Sequence, residues 1–480
     1  MQRLYQQVQR LIFSHFPHHP TQGQAEACES IVQFLYDTDP AAAFVLRGYA
    51  GTGKTSLISA IIQTAPALQL RTRLLAPTGR AAKVLANYSG RAAYTIHKQI
   101  YFTDTLTTGV PHMVRAINKH SYTLFIVDEA SMIGLGEESP TGSHRSLLED
   151  LIDYVLTGNH CRLLFIGDTA QLPPVGSDES PALDDAYLES ISQLHVRSYE
   201  LTEVVRQQQL SGILHNATRL RNQIVSMEEF DEIKFPLFDL NQFTDVVRLQ
   251  PSDFEEVLHT EFGEDNLEHV ALITRSNKRA NLFNQGIRNR VLYREEEVNA
   301  GDYLMIVKNN YFWIDGDSGI DFVANGDIAE VLGVRNYREL YGYRFVETTL
   351  RFIDYPESPT YDCNILLDTL HSESPSLTYE ESQKLYTTVM EDYADLPSRA
   401  LKIQELRKNP YYNALQVKFS YALTCHKTQG GQWDTIIIDQ GYLTDDMLTR
   451  EYLRWLYTAF TRATRKVYLL NFEDRFFNPA

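Results

Sequence analysis

The 480-residue sequence is poor in cysteine, short of basic charge and without long apolar runs. Its four cysteines, Cys28, Cys161, Cys363 and Cys425, lie far apart and form no C-x-x-C pair, which argues against a zinc site or a disulfide framework. A reduced, intracellular and cytoplasmic protein is the expectation. No stretch approaches the roughly eighteen consecutive apolar residues of a membrane-spanning helix. The start, Met1-Gln2-Arg3-Leu4-Tyr5-Gln6-Gln7, lacks the apolar core of a signal peptide. Lys and Arg number 44 against 62 Asp and Glu, a net charge of −18, which disfavours non-specific coating of duplex nucleic acid. A narrow positive groove is compatible with that balance, because salt confines charge interactions to roughly 8–10 Å.

What the chain does contain is ordinary globular composition, 43% hydrophobic and 22% charged, with length for about three domains. Its strongest local signal is Gly48-Tyr49-Ala50-Gly51-Thr52-Gly53-Lys54-Thr55. The apolar run 41–46 precedes it and a helix-spaced run from Ser56 to Ile62 follows. Strand, glycine loop and helix in that order make a phosphate-binding loop. Glycines let backbone N–H groups turn inward around phosphates, and the helix N-terminus adds positive dipole. Gly48, Gly51, Thr52, Gly53 and Lys54 are therefore candidate nucleotide contacts, with Lys54 reaching the β- and γ-phosphates and the Thr55 hydroxyl binding Mg²⁺.

A second apolar run, Tyr122 to Val127, ends in Asp128-Glu129. A carboxylate at the C-terminal edge of such a strand faces the crevice where open α/β sheets bind ligands. Asp128 is the candidate for holding the metal and Glu129 for deprotonating the attacking water. Leu74-Leu75-Ala76 and Leu163 to Ile166 are two more apolar strands that end in polar or glycine residues, so a parallel sheet is expected. The guanine-reading Asn-Lys-x-Asp tetrapeptide is missing, since both Asn-Lys pairs continue without the aspartate, as Asn118-Lys119-His120-Ser121 and Asn277-Lys278-Arg279-Ala280.

The order of further blocks resembles a superfamily 1 helicase, on the RecD-like and Dda-like branch that moves 5′ to 3′. Pro20 to Ala27 resembles the adenine-recognising entry, with Gln24 as its glutamine. Leu75 to Ala82 resembles motif Ia and Tyr94 to His97 motif Ib. Gly167 to Gly176 resembles motif III, Leu201 to Gln207 motif IV, Tyr421 to Gly430 motif V and Tyr457 to Thr464 motif VI. The resemblance implies ATP and Mg²⁺ as cofactors. It makes Gln171 a γ-phosphate sensor and Arg206 and Arg462 arginines delivered to the γ-phosphate from a second domain, and it adds Gly430 to the nucleotide contacts. It also implies DNA contacts from Pro77, Thr78, Arg80, Thr95, His97, Thr424 and His426. An arginine fork that arrives only on domain closure would make hydrolysis depend on closure.

The fold expected is therefore α/β, with two RecA-like parallel-sheet motor domains, a small inserted β-hairpin and an inserted SH3-like β-barrel. Residues 1–190 are read as the first motor domain, with a short hairpin insertion over 99–121 that resembles a strand-separating pin. Residues 191–299 and 411–480 form the second, including strands over 271–275, 415–419, 435–439 and 466–470. Residues 300–410 form the barrel and an acidic helical stretch over 378–407. Residues 136–144 read as a loop. The function expected is an ATP hydrolase coupled to DNA unwinding, a monomer acting on single-stranded DNA and forked duplex. The inserted domain leaves room for a protein partner. Two alternatives are an ATPase that translocates or strips proteins with little unwinding, and an ATP-gated binding module without turnover.

Overall fold

The computed structural model describes residues 2–104, 112–135, 145–205, 211–227, 233–241, 243–263, 266–314, 323–353, 355 and 359–477. Strands β1 (Ala42–Gly48), β2 (Arg71–Ala76) and β3 (Ala93–Thr95) precede a hairpin of β4 (Tyr101–Asp104) and β5 (His112–Arg115). Then come β6 (Thr123–Val127), β7 (Arg162–Gly167) and β8 (His195–Leu201). The hairpin aside, these strands form one parallel sheet in the order β3-β2-β6-β7-β1-β8. Period-two alternation sends Ala43 and Val45 to one core with Phe125 and Leu163, and Phe44 and Leu46 to another with Ile58 and Ile126. Both faces are covered, which is why these strands read as continuous apolar runs. The first domain extends past the expected boundary at residue 190, because β8 pairs with β1 along its length. That edge strand exposes His195, Arg197, Ser198 and Glu200, so it lacks the apolar signature of its neighbours.

The second sheet starts with β9 (Val246–Leu249) and β10 (Val270–Thr274). The chain then leaves it to build a closed barrel from β11 (Tyr303–Ile306), β12 (Ile328–Leu340), β13 (Tyr343–Phe352), β14 (Tyr361–Leu366) and β15 (Leu415–Phe419). Helices Tyr379–Glu391 and Arg399–Lys408 lie between β14 and β15, in the stretch expected to be helical. Strands β16 (Ala422–Thr424), β17 (Trp433–Asp439) and β18 (Ala463–Leu470) return to the sheet, whose order is β16-β10-β17-β18-β9. The run 415–419, expected in this sheet, instead closes the barrel, antiparallel to β11 and parallel to β14. All five of its residues are buried, and Lys418 is accommodated by donating to the Ser372 carbonyl.

The barrel shares one core with the second sheet, where Leu304, Val417 and Phe419 join Leu272 and Ile437. A buried charged cluster reinforces the junction. Arg288 donates to Asp302 Oδ2 at 2.9 Å, and Arg294 and the Tyr421 hydroxyl donate to Oδ1 at 2.8 and 2.9 Å. Toward the first domain the barrel is seated differently. A Cβ on Gly79 would lie 2.3 Å from Asp327 Oδ1 and 2.8 Å from the Tyr355 hydroxyl oxygen, so the absence of a side chain permits this approach. Nearby, Lys83 Nζ donates to the Ile353 carbonyl at 2.9 Å. Among the described residues, no helix is long and apolar enough to cross a membrane.

Candidate functional site

The glycine loop joins β1 to the Lys54–Thr64 helix. Gly51 and Gly53 adopt φ of 77° and 80°, the left-handed region that glycine enters without a steric cost. Gly48 is closely surrounded, since a Cβ there would meet Leu201, Lys54 and Thr52 atoms at 3.0 Å. Thr52 is buried and its hydroxyl donates to the Tyr49 carbonyl at 2.7 Å. Lys54 Nζ folds back onto the loop, donating to the carbonyls of Gly48 and of Tyr49, the latter at 3.0 Å. Thr55 is exposed at the start of the helix.

Gln24 lies against this loop, but its amide is bonded to protein rather than left open. Nε2 donates to the Thr52 carbonyl at 3.1 Å, and Oε1 accepts the Thr21 N–H at 2.9 Å in a capping box. Each amide atom keeps capacity for one more bond. The glutamine thus acts first as a strut between its own helix and the loop.

At the end of β6, Asp128 accepts from the Tyr88 hydroxyl at 2.6 Å and from the Glu129 N–H at 2.9 Å. Glu129 itself has φ of 51°, a left-handed conformation uncommon for a side-chain-bearing residue. Burial pushes the Glu129 carboxyl above the usual glutamate range, and Asp128 adds to that push. Arg462 and Lys54 pull it back only in part. Arg462, 4% exposed and on the second domain, stands 3.8 Å from Glu129 and is held by the Thr458 carbonyl at 3.2 Å. The exposed Thr55 hydroxyl and the Asp128 carboxylate are hard-oxygen donors suited to Mg²⁺, with phosphates supplying further metal ligands, and Lys54 is a cation suited to the phosphates themselves. Among the described residues no cluster of three His, Cys, Asp or Glu is placed to hold a metal ion.

The motif III segment after β7 docks onto the second domain. Leu172 N–H donates to Thr458 Oγ1 at 2.8 Å, and Gln429 Nε2 donates to the Leu172 carbonyl at 2.6 Å. Gln171 is buried beside them, with an Oε1 that accepts no hydrogen bond. Arg206 falls outside the described residues, as do the loop 136–144 and the hairpin tip.

A groove of about 600 Å³ touches the same segments at Pro174 and Gln429 and is walled by both domains and the barrel. Six of the seven DNA candidates line it: Pro77, Thr78, Arg80, Thr95, His97 and His426; Thr424 is not among its walls. Several are already engaged. Thr78 and Thr95 cap helices, accepting the Ala81 and Lys98 N–H groups at 3.2 Å. Arg80 lies 3.8 Å over the Trp433 ring and donates to the Gln432 carbonyl at 3.3 Å, a cross-domain contact. Burial lowers His97 to about 4 and also lowers His426, so near neutrality both are neutral hydrogen-bonding groups rather than cations. A Cβ on Gly430 would meet Ala81 Cβ at 2.7 Å and Thr78 Oγ1 at 3.2 Å, so this glycine packs against the first domain.

Sequence reasoning missed Lys427, Asn309, Asn325 and Val175 in the groove walls. Lys427 stands within the quoted motif V block, and burial lowers its amine to about 8. Asn309 and Asn325 sit in barrel turns that no motif marked. Tyr88 was also missed, because its bond to Asp128 spans 40 positions.

Two parallel sheets, a phosphate-binding loop on the first and an arginine from the second 3.8 Å from the Glu129 carboxylate describe a two-domain P-loop protein. The AAA domain family profile matches residues 19–234, and the UvrD-like helicase C-terminal domain profile matches 419–470. With the motif order, these matches make the chain similar to the superfamily 1 helicases of the RecD-like branch. It is 26% identical to the ATP-dependent RecD2 DNA helicase of Deinococcus radiodurans over 445 residues, covering 90% of this chain and 46% of that protein. The chain therefore spans a little under half the length of that relative. It is 23% identical to an uncharacterized protein of Acanthamoeba polyphaga mimivirus, over 88% of this chain and 94% of that one. The solved structure of Pif1 helicase from Bacteroides in complex with ADP-AlF3 and ssDNA aligns over 96% of this chain and 95% of that chain, at 16% identity and a TM-score of 0.42.

Proposed function

We propose that the chain is an ATP-dependent DNA helicase that steps 5′ to 3′ along single-stranded DNA and opens forked duplex. The observation that carries this reading is the cross-domain pair Arg462–Glu129 at 3.8 Å, together with a groove that shares its motif III segment through Pro174 and Val175. In this reading Glu129 takes a proton from the attacking water, and Lys54, Arg462 and Arg206 stabilise charge on the γ-phosphoryl oxygens. Thr55 and Asp128 would hold Mg²⁺, which neutralises phosphate charge. Gln171 senses the γ-phosphate, and Gln24 and the loop glycines position the nucleotide. Single-stranded DNA occupies the groove, held by phosphate contacts and apolar contact with bases, so binding is sequence-tolerant and salt-sensitive. A monomeric state, a cytoplasmic site of action and a protein partner for the barrel belong to the same proposal, supported by the family resemblance.

The test is ATP hydrolysis with and without single-stranded DNA, beside Lys54→Ala. Stimulation that vanishes in the variant supports the motor, whereas no stimulation by any single strand sinks it. The hairpin strands β4 and β5 are only four residues each, which keeps a second reading open: a translocase that displaces proteins and unwinds poorly. Robust ATPase without separation of a forked duplex would favour it.

A further inference from the structure

The Arg450–Phe460 helix of the second domain carries a residue that no role above uses. Tyr457 is 1% exposed, and its hydroxyl makes two bonds into the first domain. It accepts the Ala50 N–H of the glycine loop at 2.8 Å and donates to Asp168 Oδ2 at 2.6 Å. The other Asp168 oxygen accepts the Ala170 N–H at 2.9 Å, so the carboxylate is fixed on both sides. Thr458 takes the Leu172 N–H one residue later, and Arg462 faces Glu129 one turn beyond.

A hydroxyl has one proton and two lone pairs. Here the proton goes to Asp168 and a lone pair to Ala50, which fixes the orientation of the group. Both bonds form only when the second domain is docked. The Ala50 N–H belongs to the loop whose amides cradle phosphates. Asp168 is buried within electrostatic reach of both Lys54 and Glu129.

We propose that Tyr457 is a positioning residue for ATP hydrolysis: its hydroxyl sets the glycine loop and Asp168 in register on domain closure, so the loop itself registers whether the second domain has arrived. This rests on the ATPase reading above. Tyr457→Phe keeps the ring and its burial but removes both bonds.

The experiment measures steady-state hydrolysis by the full chain, with and without saturating oligo-dT, beside thermal melting. In Tyr457→Phe, kcat with oligo-dT is expected to fall about tenfold or more while KM for ATP and oligo-dT affinity move less than about threefold. Asp168→Asn is expected to show the same split. The double variant should be no slower than the slower single one, because the two side chains act as one unit. A Tyr457→Phe kcat within about twofold of wild type would falsify the proposal, as would additive losses in the double variant. Equal effects on kcat and KM overturn it too. If Tyr457→Phe does not fold, Asp168→Asn alone decides by the same kcat–KM split. Wild-type protein lacking DNA-stimulated ATPase would overturn the helicase reading instead, so the two failures are distinguishable.

Discussion

Arg462 and Glu129 come from different domains and different sheets, yet stand 3.8 Å apart with the arginine 4% exposed. A buried cation beside a half-buried carboxylate is weak evidence for stability, which favours a role in turnover. Removing the cation should therefore affect turnover more than nucleotide affinity. Arg462→Ala is expected to lower kcat by about a hundredfold or more, as expected for an arginine acting in the transition state. Rapid-quench measurement of single-turnover hydrolysis checks this.

The Glu129 carboxyl is raised by burial, so it keeps its proton to a higher pH than an ordinary glutamate. A base must be deprotonated, so kcat is expected to fall as pH drops through an inflection above the usual glutamate range. Glu129→Gln should bind ATP, turn over about a hundredfold or more slowly and lose that inflection. Because the raised pKa makes the charged form unfavourable in the fold above that inflection, Glu129→Gln should also melt no lower than wild type at neutral pH. A pH–rate profile beside a melting curve reads both.

Much of this pocket was legible because its parts are local. A strand, a glycine loop and a helix are contiguous, and an Asp-Glu pair closes its own apolar run. What escaped depends on partners far away in sequence. Tyr457 is read through Ala50 and Asp168, and nothing adjacent marks the relation. The 415–419 run misled for another reason: five buried residues suit a barrel strand as well as a sheet strand, and only pairing decides. Strand β8 hid its membership because an edge strand with exposed polar residues has no apolar run.

Lys427 lines the groove with an amine lowered to about 8 by burial, so it is charged below that pH and neutral above it. Single-strand affinity is expected to weaken as pH rises from about 7 to about 9. Lys427→Ala should bind more weakly at the lower pH and lose that pH dependence. Its slope of log affinity against log salt should shrink by about 0.7, one phosphate contact on a single strand. Fluorescence anisotropy with labelled oligo-dT measures all three.

Asp302 is fully buried and bonded to Arg288, Arg294 and Tyr421. Asp302→Ala leaves two largely buried guanidinium groups without their counter-charge, which should destabilise the fold by about 3–5 kcal/mol. Chemical denaturation of the full chain tests this, and a loss below about 1 kcal/mol would contradict the account.

The barrel's two attachments therefore differ in kind. On the side of the second domain it is riveted by buried charge and a shared core, and parts there cannot separate without stripping arginines of their partner. On the side of the first domain Lys83 donates to the Ile353 carbonyl, and Gly79 backs onto Asp327 and Tyr355 with a clearance less than the width of one methyl group. If the two sheets part, the barrel is expected to travel with the second domain, with which it shares a core. Gly79 thus works as the zero mark of a gauge: Gly79→Ala would act as a shim, holding the jaws of the groove apart by the thickness of a single carbon.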